Sequence, residues 1–277
     1  MQKVTSGWNK RKRQATTLLR AILLHPKKTL LQIIEWKSQE KNRYIIKKYG
    51  IAELPTIDLL DVLPNPDETI TRYSFLEGAS LPTDIILLKG IARWYPQCRY
   101  LEIGTWRGES LANVASIATH STSVDLSPEE LRQRNLSENF IQNQGFFIKD
   151  LANVQRIFHD STSFDFSSLN DVFDLIFVDG DHHYDAVRSD TMNAYKLLRN
   201  EHSTLVWHDY GFSTEQVRSE VLAAILDGLP PAEHANLYHV SNTLCVILTK
   251  KIFRARTISY PSIPDKIFTI KINAQRL

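Results

Sequence analysis

The sequence has little cysteine and no long apolar run, and each absence excludes a class of protein. Its two cysteines, Cys98 and Cys245, lie far apart and lack the spacing of metal ligands. A disulfide framework is therefore not expected, and a cytoplasmic location is favoured. No apolar run approaches the ~20 residues of a membrane span. The basic N-terminus also lacks the compact apolar core of a secretory signal.

Acidic residues are scarce at the start of the chain. Residues 1–50 hold thirteen Lys and Arg but only two Glu, a net charge of +11, whereas the rest carries −9 and the whole chain +2. The basic segment could be a solvated face, a contact for an anionic partner or membrane surface, or a surface that packs on the acidic body. The body does not interleave basic and aromatic residues, so no nucleic-acid partner is expected.

The composition predicts two parts, a basic helical extension over residues 1–55 and an α/β domain over residues 56–277. In the extension, apolar residues recur at helical spacing over residues 15–24 and 29–36, with Pro26 between them ending the first helix. Their apolar stripe would pack on the main domain or on a second subunit of a homo-oligomer, or lie in a membrane interface. Residues 55–66, rich in proline and acid, are typical of a linker.

After residue 80, apolar strand-like runs alternate with helical patterns. Helices separate the first five predicted strands, which favours a doubly wound, mostly parallel, seven-stranded sheet. The last two strands are joined by residues 241–243 alone, so they should form an antiparallel hairpin at one edge. Residues 266–273 alternate like an added edge strand. The predicted strands are residues 100–103, 121–125, 154–159, 173–178, 204–208, 237–240 and 244–249, and the predicted helices are residues 84–94, 110–118, 128–135, 183–198 and 214–226.

One stretch, residues 99–110, predicts a strand, a glycine-bearing turn and the start of a helix. Gly104 and Gly108 allow a sharp turn and let a ligand approach the backbone closely. Such a turn at a helix N-terminus is typical of a site for a polar, nucleotide-like ligand.

Polar residues stand at the ends of all five predicted parallel strands, where ligands bind in an open α/β sheet. Asp125 follows Gly104 by 21 residues, a spacing that suits a carboxylate accepting ribose hydroxyls. A cap or a turn would explain one polar residue after an apolar strand. Because all five strands end in polar residues, a nucleoside-binding site is favoured. The residues concerned are Glu102, Asp125, Asp160, Ser161, Asp179, His208 and Asp209.

Two nucleoside cofactors compete for this site. A nicotinamide dinucleotide needs a G-x-G-x-x-G turn for its diphosphate, but Trp106 stands where the second glycine would be. S-adenosylmethionine has no phosphate, and its ammonium and sulfonium groups suit the acidic Glu102. The sequence therefore favours S-adenosylmethionine.

Over residues 75–250 the chain resembles class I S-adenosylmethionine-dependent methyltransferases. The resemblance is to the branch whose fourth strand ends in V-D-G-D-H-x-Y, near the macrocin-type sugar O-methyltransferases and the cephalosporin-hydroxylase-like proteins. It implies a Rossmann-like methyltransferase fold and a small-molecule substrate. It rests on the segments Leu101-Glu-Ile-Gly-Thr-Trp-Arg-Gly-Glu-Ser110, Val124-Asp125, Phe173-Asp-Leu-Ile-Phe-Val-Asp-Gly-Asp-His-His-Tyr184 and Leu205-Val-Trp-His-Asp-Tyr-Gly211.

The resemblance also implies residue roles. Glu102, Gly104 and Gly108 match the cofactor turn, Asp125 the ribose acid, and Asp160 with Ser161 the adenine-side pair. Some relatives bind a divalent cation through acids at the positions of Asp179 and Asp209. His208 departs from that pattern, because a hard cation such as Mg²⁺ prefers oxygen ligands, so the histidine weakens the site or changes its metal.

Methyl transfer to a hydroxyl needs a group that removes a proton from the acceptor. His182 and His208 are the candidate bases, with Asp179 and Asp209 orienting the base or holding a cation. Adjacent histidines on a helix point about 100° apart, so only one of His182 and His183 is expected to face the site. Two alternatives stay open on the same fold, a hydroxylase-like oxidoreductase and a non-catalytic cofactor-binding module.

Overall fold

The computed structural model describes residue 24 and residues 26–169 and 171–276. The chain divides into two compact units, Met1–Ala52 and Glu53–Leu277. Helix α1 (Pro26–Tyr49) belongs to the first unit and contains the predicted helix over residues 29–36. It ends where Gly50 takes a left-handed φ of +73° and donates its N–H to the carbonyl of Ile46 at 3.0 Å. Among the residues described, no helix is both long and apolar enough to cross a membrane.

Several predictions for the N-terminal segment fall outside the described residues. These are the leader, residues 15–23 of the first predicted helix, and the side chains of the apolar stripe. The boundary predicted between residues 55 and 56 stays a prediction.

The second unit is built on a sheet that has nine strands in the described part of the chain. The order across it is β11-β1-β9-β10-β6-β5-β2-β3-β4. A separate two-stranded sheet pairs β7 with β8. The strands are β1 (Thr56–Ile57), β2 (Arg99–Ile103), β3 (His120–Asp125), β4 (Val154–Phe158), β5 (Leu175–Val178), β6 (Thr204–Trp207), β7 (Gly211–Ser213), β8 (Gln216–Val217), β9 (Leu237–Val240), β10 (Val246–Leu248) and β11 (Ala255–Arg256).

The central part of the sheet is parallel, as predicted. Strand β2 pairs in parallel with β3 and β5, β3 with β4, and β5 with β6. The chain builds β2, β3 and β4 in one direction and then returns to place β5 and β6 on the other side of β2. The ends of β2 and β5 therefore flank the topological switch point, where such sheets bind ligands. The apolar residues of these two strands are buried, as expected for strands covered on both faces.

Helices connect the parallel strands, which makes the sheet doubly wound and Rossmann-like. Helix α5 begins with the capping box of Ser127 and Glu130, in which each side chain accepts from the other residue's backbone N–H. The remaining α-helices are α2 (Leu59–Val62), α3 (Pro82–Ala92), α4 (Glu109–Ala115), α5 (Pro128–Gln133), α6 (Glu138–Asn143), α7 (Tyr184–Lys196) and α8 (Ser219–Gly228).

The sheet is wider than the seven strands predicted. The antiparallel hairpin β9–β10 is confirmed, but it is not the edge, because β1 pairs with β9 and β11 pairs with β1. Strand β1 lies in the segment predicted as a linker, and two residues are too few to show an alternating pattern. Residues 266–273 form no strand, so the predicted edge strand there was wrong.

The last predicted helix begins five residues later than expected. Residues 211–217 form the β7–β8 hairpin, so α8 begins at Ser219 and not at residue 214. The turn of this hairpin, at Thr214 and Glu215, occupies the first residues predicted as helix, and the β7 backbone is closely packed at Gly211. A Cβ there would lie 2.2 Å from the carbonyl oxygen of Ser213.

Candidate functional site

The turn after β2 touches the turn after β5, and only glycine permits the contact. Gly104 has a φ of +84°, and a Cβ there would lie 2.3 Å from the Cα of Gly180. Gly108 has a φ of +85°, and a Cβ there would lie 2.8 Å from Cγ2 of Ile148. Both predicted turn glycines are thus required by left-handed backbone and by close packing.

Glu102 is fully buried at the end of β2. The hydroxyl of Tyr100 donates to one of its carboxyl oxygens, and the hydroxyl of Ser110 donates to the other at 2.8 Å. Burial raises the pKa of Glu102 well above its usual value and outweighs these two hydrogen bonds. The Glu102 carboxyl thus holds Ser110 of α4 next to the turn. Direct contact between Glu102 and a cofactor ammonium stays a prediction.

Asp125, at the end of β3, is buried, and only one of its two carboxyl oxygens accepts a hydrogen bond. Its Oδ1 accepts the backbone N–H of Thr105 at 2.7 Å, whereas its Oδ2 is buried without a hydrogen-bond partner. Burial raises the pKa of this carboxyl. A buried acceptor without a donor is costly unless something supplies one, so Oδ2 fits a ligand hydroxyl such as those of a ribose.

The adenine-side pair lies after β4, next to the end of β3. Asp160 accepts the N–H of Thr162 at 2.9 Å and its hydroxyl at 2.6 Å, and it forms an ion pair with Arg134. Although burial acts to raise the pKa of Asp160, these partners lower it. Ser161 hydrogen-bonds to Asp190 of α7, a buried residue that sequence reasoning missed.

A second cluster forms where β5 and β6 end. Asp179, His208 and Asp209 each bring one possible metal-ligand atom within 4.8 Å of the others. His208 Nδ1 lies 3.0 Å from Asp179 Oδ1 and 3.9 Å from Asp209 Oδ2. The structure thus brings together the three residues that the sequence placed at these strand ends.

Asp84 is the fourth member of this cluster, and sequence reasoning missed its role. Its Oδ2 lies 3.1 Å from His208 Nε2 and also accepts the N–H of Leu81 at 2.7 Å. Its Oδ1 accepts the N–H of Leu244 at 2.8 Å. An Asp in the first turn of α3 is the ordinary signal of a helix cap, which Asp84 also is, so nothing in the sequence marked the contact with His208.

The carboxylates around His208 determine its charge. Burial alone would lower the pKa of the imidazole, but Asp179, Asp209 and Asp84 outweigh that effect and raise it well above its usual value. Burial also raises the pKa of Asp179, whereas His208 and Arg218 lower that of Asp209 against the effect of burial. Both ring nitrogens of His208 thus face carboxylate oxygens, whose charge favours the protonated imidazole; its role as a base stays a prediction.

His182 is the more accessible of the two candidate bases. Its side chain is 49 % exposed, and its Nδ1 lies 3.8 Å from Asp209 Oδ2. It precedes α7, of which His183 is the N-cap, and the two imidazole rings stack with centroids 5.0 Å apart. The expectation that adjacent helical positions separate the two histidines was wrong, because neither lies within the helix. Arg218, a residue missed in the sequence, lies 3.3 Å from Asp209 Oδ1.

An irregular segment, residues 71–80, is hydrogen-bonded to the glycine turn and to the start of α4. Arg107 donates to the carbonyl of Glu77 at 2.7 Å, and Glu109 accepts the N–H of Ser74 at 2.9 Å. The ring of Trp106 packs on Phe140 with centroids 3.7 Å apart. Trp106 therefore contributes to the packing that encloses the turn.

Comparison with known proteins gives a domain-level match. Residues 101–210 match the family model of a methyltransferase domain. No curated protein matches the chain.

Solved structures give only distant likenesses. The chain is 14 % identical to the O-methyltransferase NovP over 61 % of this chain and 80 % of that one, with a TM-score of 0.47. It is 15 % identical to the O-methyltransferase TomG of Streptomyces achromogenes over 62 % and 82 %, with a TM-score of 0.42. With CalS10, an amino pentose methyltransferase of Micromonospora echinaspora, the identity is 19 % over 44 % of this chain and 47 % of that one, with a TM-score of 0.33.

All three scores lie below 0.5, so these likenesses carry no argument about what this chain binds. The domain match has a sharper consequence. It runs from Leu101 in β2 to Tyr210 after β6. Every residue predicted for the site lies within that methyltransferase-domain segment.

Proposed function

We propose that this chain is a class I S-adenosylmethionine-dependent methyltransferase that methylates a hydroxyl of a sugar or another small metabolite. The observation that carries the proposal is the unpartnered, buried Asp125 Oδ2 beside the glycine turn, in a segment that matches a methyltransferase domain. A ribose hydroxyl would supply the donor that this oxygen lacks.

The cofactor would be held at the ends of β2, β3 and β4. Gly104 and Gly108 form the turn, Asp125 receives the ribose, and Asp160 with Ser161 faces the adenine. Glu102 supports the turn through Ser110. Asp179, beside Gly180 at the contact between the two turns, borders the methionine end. When bound, the cofactor supplies a methyl group already activated on its sulfonium.

His182 would remove the proton from the acceptor. Its imidazole would take up the hydroxyl proton of the acceptor as that oxygen becomes methylated. Asp209, at 3.8 Å, orients the ring and stabilises the charge it gains. His208 does not serve as the base, because its nitrogens face Asp84 and Asp179.

A divalent cation is a further part of the proposal. Asp179 and Asp209 would hold it, and it would lower the pKa of the acceptor hydroxyl. The donor set is compatible with an ion, since the two carboxylates and the His208 imidazole converge within 4.8 Å.

Titration calorimetry with S-adenosylhomocysteine, followed by a screen of sugars and phenols with a labelled methyl donor, tests the proposal. We expect saturable binding at one site per chain and transfer to at least one hydroxyl compound. Absence of binding by the 277-residue chain would refute the proposed cofactor. Binding without transfer to any acceptor would favour the non-catalytic binding module. A cytoplasmic location, and a membrane or subunit contact through residues 1–50, stay predictions.

A further inference from the structure

Residues 267–276, which we call the tail, expose large apolar side chains close together in the sequence. Ile270 is 69 % exposed, Ile272 66 % and Phe268 38 %. Isoleucine and phenylalanine are among the residues most often fully buried in proteins. Single exposed apolar residues are ordinary, but a group of them marks a surface that binds a partner.

The residue just before the tail is fixed to the second unit. The ammonium of Lys266 lies 2.8 Å from Asp58 Oδ2 and 2.7 Å from Asp265 Oδ1, and it donates to Asn242 Oδ1 at 3.2 Å. Only 7 % of the Lys266 side chain is exposed. The start of the tail is thus held in place, which lowers the entropy cost of binding a partner there.

The backbone of the tail also lacks partners. Residues 262–276 contain no helix, turn or bend. No hydrogen bond between backbone groups joins residues 267–276 to any other residue that the structure describes. Backbone N–H and C=O groups must be paired when they become buried. Lipid hydrocarbon cannot pair them, whereas a second strand pairs the backbone and covers the side chains at the same time.

Residues 266–273 alternate like a strand, although they form none within one chain. As a strand, they would place Phe268, Ile270 and Ile272 on one face. We propose that the tail pairs antiparallel with the tail of a second copy, about a two-fold axis at Ile270. Each Phe268 then lies opposite Ile272 of the second copy, and the two Ile270 side chains lie opposite each other. The pairing does not depend on the proposed function.

The charges of this region favour the same register. Residues 250–277 contain seven Lys and Arg and one acid, Asp265, so two paired tails must keep their cations apart. With the axis at Ile270, Lys271 lies opposite Thr269 of the second copy. An axis one residue later would place the two Lys271 side chains opposite each other, and like charges in that position are destabilising.

Sedimentation equilibrium of the 277-residue chain tests the proposal. We expect a monomer–dimer equilibrium with a dissociation constant of about 1–100 µM, since two strands alone are marginally stable and small interfaces give weak complexes. Ile270→Lys should weaken the dimer at least about tenfold, because it removes an apolar pair and opposes two ammonium groups. Ile267→Lys is the matched control. Ile267 is 95 % exposed but lies on the other face, opposite Asn273, so the change should be less than about threefold.

A disulfide tests the register directly. Ile270→Cys should crosslink two copies under mild oxidation, because opposed Cα atoms of an antiparallel pair lie about 4.5–5.5 Å apart, within the span of a disulfide. Ile267→Cys should not crosslink, since it lies opposite Asn273 and far from its own equivalent. Cys98 and Cys245 are buried, so the parent should not crosslink either.

Three results would overturn the inference. These are a parent that is monomeric at about 100 µM, a dimer that Ile270→Lys and Ile267→Lys weaken equally or not at all, and no crosslinking through Ile270→Cys. Flotation with vesicles that contain an anionic phospholipid is measured in parallel. A monomeric parent whose binding to these vesicles is lost in Ile270→Ser would assign the tail to a lipid surface instead.

Discussion

The two polar clusters at the carboxyl edge of the sheet surround their carboxyl groups with different kinds of side chain. Around Glu102 and Asp125, the hydrogen-bond donors are neutral hydroxyls and a backbone amide. Around Asp209 lie ionisable groups instead, the Arg218 guanidinium at 3.3 Å and the imidazoles of His182 and His208 at 3.8 and 3.9 Å. The first cluster suits a polar nucleoside that brings its own hydroxyls, and the second suits movement of a proton or retention of a cation. In the proposed function, the two ends of one sheet edge would thus separate cofactor binding from catalysis.

The largest effect should come from removing the proposed base in the second cluster. His182→Ala should lower kcat by about 100–10,000-fold, the usual contribution of general base catalysis. The affinity for S-adenosylhomocysteine should change by less than about twofold, since the contacts of His182 are with Asp209 and His183. Steady-state kinetics and calorimetry measure the two effects. His183→Ala is the matched control, and an equal loss of kcat in both variants would contradict the assignment.

The contact that joins the two clusters should be the next most sensitive position. Gly104→Ala introduces a Cβ 2.3 Å from the Gly180 backbone at a φ of +84°. Left-handed backbone costs about 1–2 kcal/mol and overpacking typically about 1–3 kcal/mol more. Gly50→Ala is the control, because its φ is +73° but nothing lies within 4 Å of the new Cβ. Chemical denaturation should show a clearly larger loss for Gly104→Ala, and equal losses would refute the packing argument.

In the first cluster, a substitution should weaken cofactor binding more than it lowers kcat, which is the reverse of the effect expected for His182. Asp125→Ala should weaken S-adenosylhomocysteine binding by about 10–100-fold, because a hydrogen bond to a charged group contributes about 1.5–3 kcal/mol. The value of kcat at saturating methyl donor should fall much less. Calorimetry and initial rates test both statements, with the exposed Asp165→Ala as control. Unchanged binding would remove Asp125 from the site.

The sequence predicts the first cluster better than the second. Gly104, Asp125 and the parallel strands follow from local patterns, because each strand end is read from a short apolar run and the polar residue after it. Asp84 is 124 positions from His208, and only the packing of α3 against the end of β6 brings them together. No local pattern carries that information.

Short-range patterns also mislead where a residue has two roles or an element is very short. Asp84 caps α3 and also supports His208, so its first role hides the second. Strand β1 has two residues and owes its place to pairing with β9, which lies far along the chain. Local secondary-structure propensity predicts neither the second role of Asp84 nor the place of β1.

Asp190, the partner of Ser161, is a further buried carboxyl that can be compared with those of the two clusters. It is buried, its Oδ1 has no hydrogen-bond partner, and the hydroxyl of Ser161 is its neutral donor. Burial raises the pKa of Asp190 to about 7, assisted by the charges of Asp160 and Asp181. The carboxyl thus resembles those of Glu102 and Asp125 and differs from that of Asp209.

The pH dependence of stability is the smallest effect expected and the finest test of this resemblance. The folded chain holds the Asp190 proton more tightly than the unfolded chain, whose carboxyl titrates near 3.8. The contribution of this group therefore falls as the pH rises from about 4 to about 7 and is constant above that range. Asp190→Asn removes the titration, so the Tm of the variant minus that of the parent should increase by a few °C between pH 5 and pH 8. Asp165→Asn, at an exposed acid, is the control. A difference that stays constant with pH would show that Asp190 ionises as easily in the folded chain as in the unfolded one, and the resemblance to Glu102 and Asp125 would fail.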